Sequence, residues 1–438
     1  MSETFLDGRV TMLVGDVRER LRGLPSNHFD CVVTSPPYWG LRDYGTATWV
    51  GGNAECVHRS PTMREGRNED RTKLGGSAAT NSAQNILAHN SSCGKCGAVK
   101  IDHQIGLEPT LGKHLSVMVE VFEEVRRVLK PTGTCWLNYG DCYATTSNGR
   151  SAADIKALGT DDRTYRDKPF STIGGVLKAK DLCMIPNRLA IALQKAGWWV
   201  RSEIIWHKPN PMPESITDRP TTSHEKIWLL TKSERYFYDA EAIREPVSDS
   251  THARLSQDIQ NQIGSTRANV GMKTNGNMKA VGRNSRQNVD RVPRSRKLAD
   301  PGSGTKNNSS FDAAMAIMPD TRNSRNVWTI ATAAFSEAHF ATFPPELAER
   351  CIKAGSPAGG SVLDPFGGSG TTALVAAQLG RTATLIELNP EYAVLARARI
   401  EAAFMGREEG ARHMTKKIGR LDLDPGPLFS LPLDSAAE

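Results

Sequence analysis

The feature that most restricts the fold is an alternation of short β-branched runs with segments of helical periodicity. Val10–Val14 and Phe29–Thr34 are apolar, β-branched runs, and they predict buried strands. Apolar residues then recur at helical spacing over 115–129, and a further strand is predicted at 134–138. Strands that alternate with helices form mostly parallel sheets with helices on both faces. The sequence therefore predicts an α/β fold.

The same alternation continues through the second half of the chain. It predicts a helix over 182–196, followed by strands at 198–206, 226–230 and 236–239. From residue 361 the predicted order is strand, glycine-rich loop, helix, strand and helix. No stretch approaches about 18 uninterrupted apolar residues, and the start lacks a basic region before an apolar run. We therefore expect a cytoplasmic enzyme or binding protein with no membrane partner.

The positive charge of the chain is concentrated in one segment. The net charge is +7, and residues 251–325 hold 13 Lys and Arg against 5 Asp and Glu. Residues 245–325 contain a single aromatic side chain, Phe311, so this stretch has too little apolar material to fold alone. A basic block in a chain that is otherwise near neutral indicates either a polyanionic partner, most often nucleic acid, or a solvated charged loop.

A glycine-rich loop, Asp-Pro-Phe-Gly-Gly-Ser-Gly at residues 364–370, follows a predicted strand and precedes a helix. Glycines let the backbone approach a ligand, and no Lys follows the last Gly, as a phosphate-binding loop would require. Glu387 ends the next strand. In doubly wound sheets an acidic side chain at this position binds the ribose hydroxyls of a nucleoside cofactor. The pattern indicates a nucleoside cofactor; the alternative is a tight structural turn with a solvated acid.

A second loop, Ser35-Pro36-Pro37-Tyr38, directly follows the strand Phe29–Thr34. Two prolines end the hydrogen-bonding ladder of this strand. They form a rigid loop whose carbonyl groups are free to accept hydrogen bonds. A hydroxyl before them and an aromatic ring after them suit a flat heterocycle that carries an amino group. The heterocycle would stack on the Tyr38 ring, while Ser35 and a proline carbonyl would accept hydrogen bonds from the two amino hydrogens. Alone, the loop could equally be a Pro-rich connection with a core aromatic residue.

Together the two loops resemble the DNA amino-methyltransferases of the N4-cytosine and N6-adenine type, the family of restriction–modification and phage enzymes. Ser35–Tyr38 is similar to the family's catalytic motif, and residues 364–370 are similar to its S-adenosylmethionine loop. The resemblance spans most of residues 8–400, and the catalytic motif precedes the cofactor loop, as in the beta-type order. Further matching segments are Gly15-Asp16, Ile205-Trp-His-Lys-Pro209, Ser223-His-Glu-Lys226, Val327-Trp328 and His339-Phe-Ala-Thr-Phe-Pro-Pro345.

This resemblance implies a class I S-adenosylmethionine-dependent methyltransferase fold, Rossmann-like and circularly permuted, with a zinc-bearing and a basic insertion. It implies methyl transfer to the exocyclic amine of a flipped base in double-stranded DNA, and a cognate restriction endonuclease as a further partner. The catalytic residues would be Ser35, Pro36, Pro37 and Tyr38. Asp364 would bind the cofactor. Phe366, Gly368 and Gly370 would lie on its methionine side, with Phe343 and Pro344 packed near the methionine moiety. Glu387 would bind the ribose and Asp16 the adenine amino group.

Ser35 favours cytosine-N4 as the target, because adenine enzymes of this family more often carry Asp or Asn there. Adenine-N6 methylation is the alternative within the class. A catalytically silent, zinc-bearing DNA-binding protein and an RNA or protein amine methyltransferase are the alternatives outside it. We expect the enzyme in the cytoplasm of a bacterial cell or a phage-infected host.

The eight cysteines divide into two groups. Five are scattered through the chain and are typical of small core residues. The other three, with one histidine, form Cys56-Val-His58 and Cys93-Gly-Lys-Cys96 in polar surroundings. Thiolates and an imidazole at this spacing predict a closed, structural zinc site, with His103 as the alternative fourth ligand. The competing interpretation is a set of unrelated loop residues.

These features divide the chain into six predicted parts. They are residues 1–50 as the catalytic-motif half of the methyltransferase domain, 51–112 as the zinc-binding insertion, 113–244 as the methyltransferase core, 245–325 as the basic DNA-contacting and target-recognition insertion, 326–405 as the cofactor-binding half, and 406–438 as a peripheral tail.

Overall fold

The computed structural model describes residues 2–41, 46–53, 55–56, 92–146, 171–247, 320–332, 344–405, 409, 413–414 and 417. The chain groups into two compact units, one of Met1–Ala242 with Arg325–Glu438 and one of Ile243–Ser324. Two predicted site residues, His58 and Phe343, lie outside the described residues, as does most of the basic segment 251–325.

The larger unit is built on a nine-stranded sheet, counted within the described residues. In chain order its strands are β1 (Ser2–Phe5), β2 (Val10–Val14), β3 (Phe29–Thr34), β6 (Leu129–Tyr139), β7 (Trp199–His207), β8 (His224–Thr231), β11 (Val327–Thr329), β12 (Ser361–Asp364) and β13 (Thr382–Glu387). Their spatial order is β1-β2-β13-β12-β3-β6-β8-β7-β11. A short hairpin of β4 (Thr48–Val50) and β5 (Val99–Ile101) forms a separate sheet.

Five neighbouring strands, β2, β13, β12, β3 and β6, run parallel. Strand β8 is antiparallel to both β6 and β7, and β1 is an antiparallel edge strand. This mixed, mostly parallel sheet fits the predicted class I fold. The chain forms β3 early and returns to the centre of the sheet at β12, so the carboxyl ends of β3 and β12 become neighbours although more than three hundred residues of sequence separate them.

Six described helices accompany the sheet: α1 (Val17–Arg22), α2 (Leu111–Val128), α3 (Ile185–Lys195), α4 (Pro345–Gly355), α5 (Thr371–Gln378) and α6 (Pro390–Ala402). In α2, Met118, Val121, Phe122 and Val125 recur at helical spacing and are fully buried. Helix α2 packs against α1 and α3, whereas α4 packs against α5 and β3.

Alternate residues of the central strands are buried on both faces of the sheet. On β6, Cys135 and Leu137 join the core beneath α2 and α3, while the intervening Trp136 has its ring 6.1 Å from that of Trp328. Four of the five scattered cysteines, Cys31, Cys135, Cys183 and Cys351, are buried, and Cys142 is half-buried. Among the described residues no helix is both long enough and apolar enough to span a membrane.

Three details differ from the elements that the sequence predicts. Residues 236–239 form no strand: Phe237 N–H donates to the Thr132 carbonyl of β6, whereas Asp239 N–H donates to the Ala354 carbonyl of α4, so the segment forms no continuous ladder with one strand. Strand β6 begins at Leu129, five residues earlier than predicted, and an irregularity in its pairing with β3 accommodates the extra residues. The edge strand β1 has no counterpart in the prediction.

The smaller unit is described only near its ends. Strand β9 (Glu245–Pro246) pairs antiparallel with β10 (Thr321–Arg322). The Arg244 guanidinium donates to the Thr321 hydroxyl over 2.7 Å and to the Asn323 side chain over 3.0 Å. These contacts join the two ends of this unit.

Candidate active site

A large cavity of about 1090 Å³ opens at the carboxyl ends of β3, β6, β12 and β13. The predicted site residues that line it are Ser35, Pro36, Pro37, Tyr38, Asp364, Phe366, Gly368 and Glu387. The Ser-Pro-Pro-Tyr loop (residues 35–38) and the glycine-rich loop (residues 364–370) therefore face one space. Parallel strands produce this arrangement, because their carboxyl ends meet at the same edge of the sheet.

The Ser-Pro-Pro-Tyr loop begins where β3 ends. The Tyr38 ring packs against Tyr139 with ring centroids 4.8 Å apart. A Cβ atom at Gly140 would lie 2.5 Å from the Tyr38 ring, so that only glycine fits beneath it. Burial, aided by the negative charge of Glu225, raises the pKa of the Tyr38 phenol well above its ordinary value. Tyr38 is therefore a neutral hydroxyl at physiological pH.

A buried chain of hydrogen bonds supports this loop from behind. The Glu108 carboxylate lies 2.8 Å from His114 Nδ1, and His114 Nε2 lies 2.7 Å from the Tyr139 hydroxyl. The Tyr139 hydroxyl donates to the Pro37 carbonyl over 3.2 Å and accepts from Trp39 N–H over 3.2 Å. His114 and Tyr139 are completely buried, so these hydrogen bonds support the loop from within the core.

A second polar group lies in front of the loop, on the cavity side. Tyr38 donates to Glu225 Oε2 over 2.8 Å, and Asn138 Nδ2 donates to the same oxygen over 3.0 Å. Lys208 forms an ion pair with Glu225 Oε1. Ser35 Oγ lies 3.3 Å from Asn138 Nδ2 and 3.4 Å from the Tyr38 hydroxyl. We call Tyr38, Asn138, Lys208 and Glu225 the Glu225 cluster.

The glycine-rich loop is held mainly by nearby residues. Gly368 N–H donates to Glu387 Oε2 over 2.8 Å, and Gly367 N–H donates to the Ile386 carbonyl over 2.8 Å. Gly368 has φ +50°, a conformation that favours glycine. Burial raises the pKa of Glu387, although backbone N–H groups that donate to its oxygens oppose this effect. Its carboxylate thus lines the cavity beside the backbone of the loop.

Asp364 connects the two loops. Its Oδ1 accepts from the Thr34 hydroxyl over 2.7 Å and from Phe366 N–H over 3.1 Å, and its Oδ2 lies 2.7 Å from the Thr372 hydroxyl. Burial raises the pKa of Asp364 to about 7 despite these hydrogen bonds. Asp364 lines the cavity, but its carboxylate is engaged by the protein, so its backbone is the part left to meet a ligand.

Three predicted cofactor residues lie outside the set that lines the cavity. Asp16 caps α1 by accepting from Arg18 N–H and Glu19 N–H, and burial, which would raise its pKa, is outweighed by the Arg18 guanidinium, which lowers it. Gly370 begins α5 at φ +78°, and a Cβ atom there would lie 2.9 Å from Ile400. Pro344 caps α4. The predicted cofactor roles of these residues stay predictions.

The three predicted thiol ligands come together at the β4–β5 hairpin. The sulfur atoms of Cys56, Cys93 and Cys96 all lie within 4.8 Å of one another. Gly52, at φ +71°, permits this approach, because a Cβ atom there would lie 2.7 Å from Cys96 Sγ. Backbone N–H groups lower the pKa of Cys96. His103 lies instead with its Nδ1 3.9 Å from Asp16 Oδ2, so within the described ranges it is not grouped with the thiols.

The comparison with known proteins identifies the family. The chain matches the DNA methylase family over residues 29–398, which include both loops. It belongs to the DNA methylase family. The resemblance to DNA amino-methyltransferases that the sequence predicts is confirmed, and the methylase is a DNA methyltransferase of the N4/N6 type.

The match to known relatives covers nearly the whole methylase. Type II methyltransferase M.SmaI of Serratia marcescens is 37% identical over 389 residues, which are 89% of the methylase and 90% of that relative. Type II methyltransferase M.XycI of Xanthomonas campestris pv. cyanopsidis is 36% identical over 391 residues, 89% and 87% of the two chains. Among solved structures, the PvuII DNA methyltransferase (cytosine-N4-specific) aligns over 94% of the methylase and 93% of that chain, with 15% identity and a TM-score of 0.48.

Sequence reasoning assigned no role to several residues around the site of the methylase. They are Glu108, His114, Asn138, Tyr139, Lys208, Glu225 and Arg399. Lys208 and Glu225 belong to segments that matched the family, so those segments were the available signal. Arg399 donates to the Ser369 carbonyl over 3.0 Å and to the Thr371 hydroxyl over 2.9 Å, which supports the glycine-rich loop from α6. Nothing in the sequence near His114 distinguishes it from an ordinary core residue.

Proposed function

We propose that this methylase transfers a methyl group from S-adenosylmethionine to the exocyclic amine of a base flipped out of double-stranded DNA, and that the base is cytosine. The observation that carries the proposal is the shared cavity, which is lined by both the Ser-Pro-Pro-Tyr loop and the glycine-rich loop. Methyl transfer needs the donor and the amine in contact, so two substrates must enter one space.

The donor would lie against the glycine-rich loop. Glu387 supplies a carboxylate for the ribose hydroxyls, and its two hydrogen bonds from Gly368 and Asn389 leave further lone pairs free. Phe366 and Gly368 would contact the methionine side, with Asp364 holding the loop that carries them. Asp16, Gly370, Phe343 and Pro344 are proposed to complete this half of the site.

The target base would bind on the opposite side of the cavity, against the Ser-Pro-Pro-Tyr loop. An exocyclic amine is a weak nucleophile because its lone pair is delocalised into the ring. Hydrogen bonds from its two N–H groups to Ser35 Oγ and the Pro36 carbonyl would favour a tetrahedral nitrogen with a free lone pair, while Tyr38 stacks on the ring. Inside a duplex the amine cannot reach this depth, so the base must leave the stack.

The identity of residue 35, a serine, favours cytosine over adenine as the target base. Ser35 offers the amine a neutral acceptor where Asp would present a full negative charge. Cytosine is also the smaller base, and its amine must reach the same methyl group from the same Pro-Pro platform. Adenine-N6 methylation uses the same cavity and the same donor, so product analysis distinguishes the two.

Two further parts of the proposal concern the insertions. Cys56, Cys93 and Cys96 would hold a structural zinc ion, with His58 as the fourth ligand, because three thiolates that converge in a Gly-rich loop are a donor set that zinc prefers. The basic segment 251–325 would contact the DNA backbone. We also propose that the methylase works beside a cognate restriction endonuclease, since its relatives are Type II methyltransferases.

Incubation with labelled S-adenosylmethionine and duplex DNA, followed by digestion to nucleosides and mass spectrometry, tests the activity. We expect N4-methylcytosine and no 5-methylcytosine, because the proposed chemistry uses no cysteine nucleophile. N6-methyladenosine as the only product would overturn the choice of base while leaving the amine chemistry intact. No transfer to any base would overturn the proposed enzyme.

Metal analysis of the purified protein tests the zinc site. We expect about one zinc per chain, lost in Cys93→Ser and Cys96→Ser but retained in Cys183→Ser, whose thiol is buried elsewhere. The sheet should stay folded after zinc removal, because it has its own core. A metal-free protein with freely reactive thiols would refute the site.

A further inference from the structure

Methylation of an amine leaves the product nitrogen with a surplus proton, which must be removed. The product nitrogen carries a positive charge until one N–H bond breaks, and the proposed acceptor, Ser35, is a neutral hydroxyl. A protonated hydroxyl is a strong acid and cannot retain the proton. If the proposed function is correct, a base must therefore lie within reach of Ser35, directly or through another hydroxyl.

The Glu225 cluster contains such a base. Ser35 Oγ lies 3.4 Å from the Tyr38 hydroxyl, which in turn donates to Glu225 Oε2 over 2.8 Å. Asn138 Nδ2 lies within hydrogen-bonding distance of both Ser35 Oγ, at 3.3 Å, and Glu225 Oε2, at 3.0 Å. Because Asn138 can donate to Ser35 Oγ, the Ser35 hydroxyl proton is free to point towards Tyr38. The geometry connects the amine site to a carboxylate through two hydroxyl groups.

Lys208 places a positive charge beside the Glu225 carboxylate. The side chains of Glu225 and Lys208 are 15% and 18% exposed, and they form an ion pair through Oε1. Lys208 also lies 4.4 Å from the centroid of the Trp206 ring. Screening by water is weak in such a partly buried pair, so the ammonium group stabilises the carboxylate before the proton arrives.

The titratable residues next to Glu225 in sequence, on β8, are His224 and Lys226. Lys226 is engaged by Glu203 at 2.6 Å and by the Asn187 side chain at 2.9 Å, and His224 is exposed. Tyr38, with its raised pKa, keeps its proton and can pass one on only by receiving another. Glu225 is therefore the acceptor at the end of the chain.

We propose that Glu225 is the terminal acceptor of the amine proton, reached through the Ser35 and Tyr38 hydroxyls. The amine lone pair forms the N–C bond, and the methyl–sulfur bond breaks with its electron pair kept by sulfur. The proton on nitrogen moves to Ser35 Oγ, the Ser35 proton moves to the Tyr38 oxygen, and the Tyr38 proton moves to Glu225 Oε2. Glu225 ends neutral, Lys208 stays positive, and the proton later passes to water. Glu225 is proposed to contact neither the amine nor the donor. It acts through the Ser35 and Tyr38 hydroxyls and is, in that sense, a positioning residue of the reaction.

The test compares Glu225→Gln with Glu203→Gln. Glu203 is also a carboxylate paired with a lysine, but it lies on β7 outside the residues that line the cavity. Single-turnover methyl transfer to duplex DNA is measured from pH 5.5 to 9, with donor and DNA affinities measured separately. We expect Glu225→Gln to lower the rate constant at pH 7 by about 10²–10⁴-fold, the usual range for loss of a proton acceptor. Both affinities should stay within about threefold of wild type, and Glu203→Gln should match wild type.

Two more measurements separate proton transfer from folding. In Glu225→Ala, added formate should restore part of the rate, because a small carboxylate can occupy the vacated position. In Lys208→Met, the single-turnover rate constant should also fall, because the cation paired with Glu225 is lost. No rescue of Glu225→Ala by formate, or a Glu225→Gln rate constant within threefold of wild type, would overturn the proposal. If the wild-type protein itself transfers no methyl group, the proposed function fails instead.

Discussion

The two loops that share the cavity are held in different ways. The glycine-rich loop is stabilised by nearby residues: Gly368 bonds to Glu387 19 positions away, and Ser369 bonds to Arg399 30 positions away. The Ser-Pro-Pro-Tyr loop depends on remote ones, because Ser35 meets Asn138 across 103 positions and Tyr38 meets Glu225 across 187. Apart from the hydrogen bond between Thr34 and Asp364, the first loop is therefore held by residues from β12 to α6, whereas the second needs β6 and β8 to be assembled in the sheet.

This comparison suggests that donor binding and methyl transfer can be damaged independently. Residues around the glycine-rich loop should govern the affinity for the donor. Residues around the Ser-Pro-Pro-Tyr loop should govern the rate of the chemical step. The predictions below test that division, beginning with the largest expected effect.

Ser35→Ala should reduce the single-turnover rate constant for methyl transfer by about 10²–10³-fold, because it removes a hydrogen-bond acceptor from the reacting amine. The donor dissociation constant, measured by calorimetry, should stay within about twofold of wild type. Ser116→Ala is the matched control, since the Ser116 hydroxyl bonds only to the Gly112 carbonyl on the exposed face of α2. Near-full turnover in Ser35→Ala would show that the loop is not catalytic.

Glu387→Ala should have the opposite profile. Loss of charge-assisted hydrogen bonds to the ribose removes roughly 1.5–3 kcal/mol, which raises the donor dissociation constant about 10–100-fold. At saturating donor, the methyl-transfer rate constant should remain within a few-fold of wild type. Glu391→Ala, an exposed acid in the first turn of α6, should leave both quantities unchanged. Equal losses of affinity and rate would remove the distinction between the two loops.

Tyr139→Phe tests the support behind the Ser-Pro-Pro-Tyr loop. It removes the hydroxyl that bonds Pro37 and leaves His114 Nε2 without that partner. We expect the rate constant to fall by about tenfold and the melting temperature by a few degrees, with donor affinity unchanged. Tyr236→Phe, which loses only a bond to Arg201, should change neither. If donor affinity falls with the rate, the two loops are coupled through Tyr139.

Asp364→Asn should have the smallest effect and should alter pH dependence. Burial raises the pKa of Asp364 from 3.8 to about 7, so the folded protein binds this proton more tightly than the unfolded chain does. The stabilisation is complete below about pH 4 and is lost as the pH rises through about 7. The wild-type melting temperature should therefore fall more steeply between pH 5 and 8.5 than that of Asp364→Asn, which imitates the protonated form. Parallel curves would show that Asp364 is ionised throughout.

Much of the fold and of the site could be predicted from sequence patterns. The strands Val10–Val14 and Phe29–Thr34, the periodicity of α2 and the turn glycines are local features, and a local pattern retains its meaning wherever the segment lies. The prediction was wrong for residues 236–239, because an extended apolar run shows only that a strand is possible. Whether it pairs depends on neighbours, and here Thr132 and Ala354 accept its N–H groups.

The sequence by itself determined the two loops, the α/β alternation and the spacing of Cys93 and Cys96, because in each case the information lies within a few adjacent residues. Only the tertiary structure decided which groups surround Ser35. His114 looks like an ordinary core histidine until α2 packs against β6, and Glu225 looks like an ordinary strand acid until β6 and β8 become neighbours in the sheet. A hydrogen bond between residues a hundred positions apart leaves no local pattern, because only the packing of the sheet brings the two atoms within hydrogen-bonding distance.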